Sequence, residues 1–155
     1  MIHYYEKIDQ IKNFKKTKDQ LGILERKAPL EACSFFKKLN KISFSISSKV
    51  RRCNAKEDIN NLLKEEIPKK IQNEQFYQNW LLDMSDICKL FCIMQSEKSL
   101  SFWLGSQRGC KRYHVDMVPF RLLVTYAGQG TELLPNEAAD RDAFLNGKPN
   151  NNIVK

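Results

Sequence analysis

Apolar side chains recur every three or four positions from the N-terminus to residue 95, which is the period of a helix with one buried face. The pattern predicts a helix over residues 2–17, a second that begins at Pro29, and a third that begins near Asn54 and is stopped by Pro68. The clearest repeat lies between residues 74 and 95. Its apolar stripe consists of Phe76, Trp80, Met84, Ile87, Phe91 and Met94.

Alternating patterns predict strands elsewhere. Residues 22–24 form one short candidate, and "ISFSISS", residues 42–48, alternates apolar side chains with serine. After residue 98 the helical period disappears, and "LSFWL" and "FRLLVTY" favour strands. In the second of these, Phe120, Leu122, Val124 and Tyr126 would share one face. "AGQGT" then predicts a turn into a hairpin arm, "TELLP".

Together these elements predict an α+β fold, in which N-terminal helices pack on an incomplete antiparallel sheet. We expect a single domain over residues 1–155. It would have a mainly helical part over 1–98, a β-rich part over 99–135 and a polar tail over 136–155. No internal repeat and no second domain are evident.

Charge and cysteine usage narrow the functional classes. The net charge of +8 is uneven, because residues 1–75 hold 17 basic and 10 acidic side chains, against 9 and 8 in the remainder. A solvated lysine surface is the simpler interpretation, with a nucleic-acid partner as the alternative that the alternating acids disfavour. An odd number of scattered cysteines, and no secretory or membrane-spanning segment, predict reduced thiols in a cytoplasmic protein. Cys88 and Cys92, beside the Met and aromatic stripe, are interpreted as core.

The chemistry concentrates at His114 and Asp116. Side chains two apart on a strand point to the same face, so this spacing aims an imidazole and a carboxylate at one point. The pair makes up two thirds of the facial triad that holds non-haem Fe(II). The other histidine, His3, lies far away in the predicted first helix, so Cys110 or Glu132 would have to complete the site. Cys110 with His114 and Asp116 would also suit Zn(II).

Neighbouring polar residues are candidates for binding a ligand. Arg112 and Arg121 could hold an anionic co-substrate by paired hydrogen bonds, or could simply pair with a nearby acid. Thr131 could donate a hydrogen bond, as could Tyr126, although Tyr126 lies on the apolar face and is better interpreted as core. Gly128 and Gly130 are turn residues and do not form a phosphate loop.

At this stretch the sequence resembles an uncharacterised bacterial family, DUF1826. The family carries a block similar to "C-x-R-[FY]-H-x-D-x-V-x-x-R-L-L-x-T-Y-x-G-x-G-T-E-x-L-P" followed by "D-R". The matching residues are Cys110, Arg112, Tyr113, His114, Asp116, Val118, Arg121, Leu122, Leu123, Thr125, Tyr126, Gly128, Gly130, Thr131, Glu132, Leu134, Pro135, Asp140 and Arg141. "LGILERKAP" and the helix around Trp80 resemble earlier parts of the family.

The resemblance implies a metal-binding double-stranded β-helix similar to Fe(II)/2-oxoglutarate oxygenases, in which a later "H-R-S-P" would bring a distal histidine to the H-x-D pair. This analogy concerns the fold and not a demonstrated activity. The chain ends at Lys155 without that segment, so we expect a domain incomplete at its C-terminus and an impaired oxygenase. A zinc-binding or metal-homeostasis module, and a basic interaction domain without metal, are the alternatives.

Overall fold

The structure is a computed structural model that describes residues 2–107 and 109–155. In chain order its strands are β1 (Ile2–Tyr5), β2 (Leu21–Leu24), β3 (Ser45–Arg51) and β4 (Ser99–Gly105). Its α-helices are α1 (Leu30–Leu39), α2 (Ala55–Glu66), α3 (Lys69–Gln72), α4 (Tyr77–Gln95), α5 (Arg141–Leu145) and α6 (Asn150–Ile153), with 3₁₀ helices at Ile8–Lys16, Arg52–Asn54 and Asn136–Ala138. The mixed α+β class is therefore confirmed.

The chain divides into two compact units, residues 1–107 and 108–155. Unit 1 contains β1 to β4 and α1 to α4. In the described part of the chain its strands form two pairs: β1 with β2 in parallel, and β3 with β4 antiparallel from Ser45–Gly105 to Arg51–Ser99. β4 belongs to unit 1 because its partner strand lies upstream.

The core of unit 1 lies between α1, α2, α4 and β3. Trp80 on α4 is 1% exposed, and its ring centroid lies 5.4 Å from that of Phe35 on α1. Ile59 and Leu63 on α2 and Val50 on β3 are fully buried. The predicted stripe of α4 is thus core at Trp80, Met84 and Ile87, while the more peripheral Phe91 and Met94 are half-buried. α2 begins where Asn54 predicted, although the Asn54 side chain makes no capping bond.

Two N-terminal predictions differ from the structure. Residues 2–5 are strand rather than helix, because they pair with β2, and the helical part, Ile8–Lys16, is 3₁₀. Gly22 allows this pairing because it has no side chain: a Cβ there would lie 2.8 Å from the Tyr5 ring. α1 follows Pro29 as expected, but its buried face is rotated from the one that its apolar spacing predicts, which carries Leu30, Cys33, Phe36 and Leu39. Ala32, Phe35, Phe36 and Leu39 are buried, whereas Leu30 is 89% exposed.

Unit 2 is built around its last residues. The segment predicted as a polar tail folds into α5 and α6, and an isolated bridge joins Ala139 to Val154. The Asp140 amide donates to the Ile153 carbonyl at 2.7 Å, and the Asp140 side chain caps α5 through the Ala143 amide. Ile153 is 1% exposed and anchors this small core.

The strands predicted between residues 109 and 135 are absent from the described structure, so the proposed antiparallel sheet in this region is not found. An alternating sequence favours an extended chain, but a strand also needs a partner for its amides and carbonyls. Within the described residues no strand pairs with this segment, and its Tyr113 amide and Lys111 carbonyl bond to a side chain instead. Several of its apolar side chains are exposed: Val115, Met117, Val118, Leu123 and Leu133. Across residues 2–107 and 109–155, no helix combines the length and apolarity needed to cross a bilayer.

Candidate metal site around His114

The segment that carries His114 is held by the C-terminal residues of unit 2. Asn150, the first residue of α6, accepts a hydrogen bond from the Tyr113 amide at 3.0 Å and donates one to the Lys111 carbonyl at 2.7 Å. One side chain thus fixes the backbone on both sides of Arg112. The Arg112 guanidinium in turn donates to the Lys148 carbonyl at 3.2 Å.

His114 and Asp116 converge. The His114 Nε2 lies 3.4 Å from Asp116 Oδ1, and the two side chains are 49% and 32% exposed. On the other side of the ring, His114 Nδ1 lies 2.8 Å from the Arg112 carbonyl oxygen. Because a carbonyl only accepts, Nδ1 must carry the proton of that hydrogen bond. In the singly protonated ring Nε2 would present its lone pair to the carboxylate, and in the doubly protonated ring it would donate a hydrogen bond to it.

Arg121 completes the contacts of Asp116. Its Nε lies 3.0 Å from Asp116 Oδ2, so the two carboxylate oxygens face different groups. Of the two interpretations of Arg121, the structure shows pairing with a neighbouring acid. The contact also orients the carboxylate, leaving Oδ1 toward His114.

Cys110 is near this pair but is not aimed at it. Its sulfur lies 3.7 Å from the Arg112 carbonyl oxygen, the same atom that His114 Nδ1 contacts. Within the described residues no group of three His, Cys, Asp or Glu side chains is close enough to hold a metal ion. The structure therefore brings two of the three predicted ligands together, with Cys110 next to them.

The remaining predicted residues take other positions. Thr131 and Glu132 are exposed, and Arg112 is directed at Lys148 rather than at the His114–Asp116 pair. The second histidine, His3, forms its own pair in unit 1, with Nδ1 3.6 Å from Asp19 Oδ2. It supplies a natural comparison for His114.

Sequence reasoning missed Asn150 and Gly147. Gly147 has φ +71°, a backbone conformation that favours glycine, and it turns the chain back toward Arg112. Asn150 follows Pro149 and offers both a donor and an acceptor, which is what a bridge between an amide and a carbonyl requires. Both residues lie in "NGKPNNN", residues 146–152, whose polarity predicted only a tail.

Cys88 and Cys92 differ from Cys110 in being buried. Cys88 and Cys92 are buried in α4, as their position beside the apolar stripe predicted. Burial, with a smaller contribution from Cys92, raises the pKa of Cys88 to about 12, and burial also raises the pKa of Cys92. Both thiols are therefore protonated core groups rather than thiolate ligands at neutral pH.

One of three comparisons with known proteins identifies a family. A family model described as "Protein of unknown function (DUF1826)" matches residues 6–154, nearly the whole chain and both units. A search of curated proteins finds no match, and neither does a search of solved structures. The resemblance predicted from residues 110–141 thus extends over almost the entire sequence.

Proposed function

The chain belongs to the DUF1826 family, and from the arrangement around His114 we propose that it binds a divalent metal ion through His114 Nε2 and Asp116 Oδ1. The observation that carries the proposal is the pair of contacts made by the imidazole. One nitrogen is fixed as a donor by the Arg112 carbonyl, and the other faces a carboxylate oxygen.

The hydrogen bond at Nδ1 is the arrangement that metal-binding histidines use. A backbone carbonyl on the outer nitrogen sets the tautomer and leaves the inner nitrogen as the ligand. Without a cation, the Nε2 lone pair and Asp116 Oδ1 would repel each other. Either a second proton on the ring or a shared metal ion removes that repulsion.

The separation of the two atoms suits a shared ion. Two ligand atoms about 2.1 Å from one ion lie about 3.0 Å apart at a right angle and about 3.4 Å apart at a tetrahedral angle. Nε2 and Oδ1 are 3.4 Å apart. Because Arg121 holds Oδ2, the carboxylate would bind through one oxygen, and the ion would keep positions for water or a co-ligand.

Two versions of the site differ in the third ligand. In the zinc version Cys110 turns from the Arg112 carbonyl to the ion, a change favoured by the convergence of both side chains on that carbonyl. In the iron version a further oxygen or nitrogen ligand completes a facial triad, and 2-oxoglutarate would then be a co-ligand. The identity of the ion separates these versions.

The test is a metal titration of the purified, chelator-treated chain with Zn(II), Co(II) and, without oxygen, Fe(II). We expect one equivalent to bind, and His114→Ala or Asp116→Asn to weaken binding by more than about 100-fold, beyond what the loss of an outer-shell partner costs. His3→Ala is the matched control, because it removes the chain's other histidine–aspartate pair.

Cys110→Ser decides between the two versions. In the zinc version the Co(II) complex shows a thiolate charge-transfer band that this substitution abolishes. In the iron version the substitution leaves affinity unchanged. Binding of His114→Ala that equals wild type would refute the metal site altogether.

A further inference from the structure

Residues 120–126, "FRLLVTY", are symmetric in residue class about Leu123. Stepping outward in both directions, the chain has an aliphatic residue, then a polar one, then an aromatic one. The pairs are Leu122 and Val124, Arg121 and Thr125, and Phe120 and Tyr126. We call residues 120–126 the symmetric segment.

The symmetric segment has the side-chain alternation of a strand, but among the described residues it is not paired in a sheet. Phe120, Leu122, Val124 and Tyr126 are half-buried, whereas the three residues between them are exposed, Leu123 to 60%. In the described residues, no backbone-to-backbone hydrogen bond involves residues 122–125. Such a stretch offers a row of amides and carbonyls to a second strand.

We propose that the symmetric segment pairs with the same segment of a second copy of this chain, antiparallel about a two-fold axis at Leu123. In this register Leu122 faces Val124 of the second copy, Arg121 faces Thr125, and Phe120 faces Tyr126. Two of the three kinds of cross-strand pair then join like residues, aromatic with aromatic and aliphatic with aliphatic, and the third joins two polar ones. The two Leu123 side chains meet on the axis.

The symmetry of the sequence is the reason for choosing a second copy of this chain as the occupant. A strand from a different protein would need no such symmetry here, whereas a two-fold contact uses the same patch on both copies and requires self-complementarity. Further apolar side chains shortly before the symmetric segment are also exposed. They include Val115, Met117 and Val118, which are 61%, 95% and 47% exposed.

The first test is the mass of the full chain in solution, by sedimentation or light scattering, from low to high micromolar concentration. It is run with a chelator, so that the outcome is independent of the proposed metal site. We expect a concentration-dependent dimer, which Leu123→Lys weakens at least about tenfold by placing two like charges opposite each other. Leu133→Lys, at a residue 55% exposed in the same unit, is the control and should leave the dimer intact.

The second test is a cross-link that depends on the register. In a chain with the exposed Cys33, Cys53 and Cys110 changed to Ser, Leu123→Cys should oxidise to a covalent dimer. Residues facing each other have Cβ atoms about 4.5–5.5 Å apart, near the spacing of a disulfide. Thr125→Cys is the matched control, because in this register it faces Arg121 rather than itself. A monomer at every concentration, or Thr125→Cys linking as fast as Leu123→Cys, overturns the proposal.

Discussion

The Arg112 carbonyl oxygen is the atom around which the candidate site is organised. It accepts a hydrogen bond from His114 Nδ1 and is also in contact with the Cys110 sulfur. Its position depends on the two hydrogen bonds that Asn150 makes to the flanking residues. Asn150 touches neither proposed ligand, so it is a positioning residue. Its effect on metal binding should pass entirely through the backbone at Lys111 and Tyr113.

We therefore expect Asn150→Ala to weaken metal binding about tenfold, as the loss of an outer partner does. Asn150→Asp keeps the acceptor for the Tyr113 amide but loses the donor to the Lys111 carbonyl. Its affinity for the metal should lie between that of Asn150→Ala and that of wild type. Isothermal titration measures the three affinities. Asn151→Ala, at the exposed neighbouring position, is the control. An equal loss in Asn151→Ala would indicate a general disturbance of α6 instead.

Cys88 makes the stability of unit 1 depend on alkaline pH. Its pKa is about 12 in the folded chain, chiefly because of burial, against an ordinary value of 9.0 that the unfolded chain regains. Between these values the unfolded thiol loses its proton while the folded one keeps it. Rising pH therefore favours unfolding, by up to about 1.4 kcal/mol per pH unit for this group, whereas below pH 9 the contribution is constant.

Urea unfolding on either side of pH 9 tests this dependence. The free energy of unfolding of Cys88→Ala should be lower overall because of the lost packing, but it should fall less steeply with pH than that of wild type. Cys33→Ala, which removes an exposed thiol, should keep the wild-type slope. Parallel slopes for Cys88→Ala and wild type would contradict the assignment.

At the scale of elements, the sequence correctly predicted the features that depend on neighbouring residues, such as helix boundaries. Pro29, Asn54 and Pro68 mark helix boundaries that the structure confirms to within one or two residues. His114 and Asp116 do converge, although the strand on which that prediction rested is not found among the described residues. Periodicity also located the core face of α4, where the apolar stripe is long.

Partners distant in sequence were beyond this reasoning. The "FRLLVTY" pattern predicted the alternating burial of residues 120–126, but not whether another strand would be present to pair with them. Likewise the β-branched and aromatic residues of β1 joined β2 because that strand was available. Arg121 could equally have faced a ligand or an acid, and only three-dimensional placement brought it to Asp116.

At the scale of the whole molecule, the chain divides into its two units after Gln107. β4 has the strand-like composition of the predicted β-rich part, yet it pairs with β3 of unit 1. The proposed metal site and the proposed self-pairing segment both lie in unit 2, whereas the large aromatic core lies in unit 1. Stability and the proposed functions are thus carried by different parts of the chain.

The pairing of β3 with β4 has a kinetic consequence. Pairing of Arg51 with Ser99 closes a loop that contains α2, α3 and α4. Closing a long loop has an entropic cost that is recovered only when the ends meet, so local helix contacts should form first and the strand pair late. Refolding and unfolding rates, followed by tryptophan fluorescence, can separate the two stages.

Leu63 on α2 and Val50 on β3 are both fully buried, which makes them a matched pair for this measurement. Leu63→Ala should mainly slow refolding, because the helices around it belong to the early nucleus. Val50→Ala should mainly speed unfolding, because its contacts form after the transition state. The reverse assignment would mean that the strands meet first. If the expected order holds, mutations in the β3–β4 pair will shorten the lifetime of the native state and leave the speed of its formation nearly unchanged.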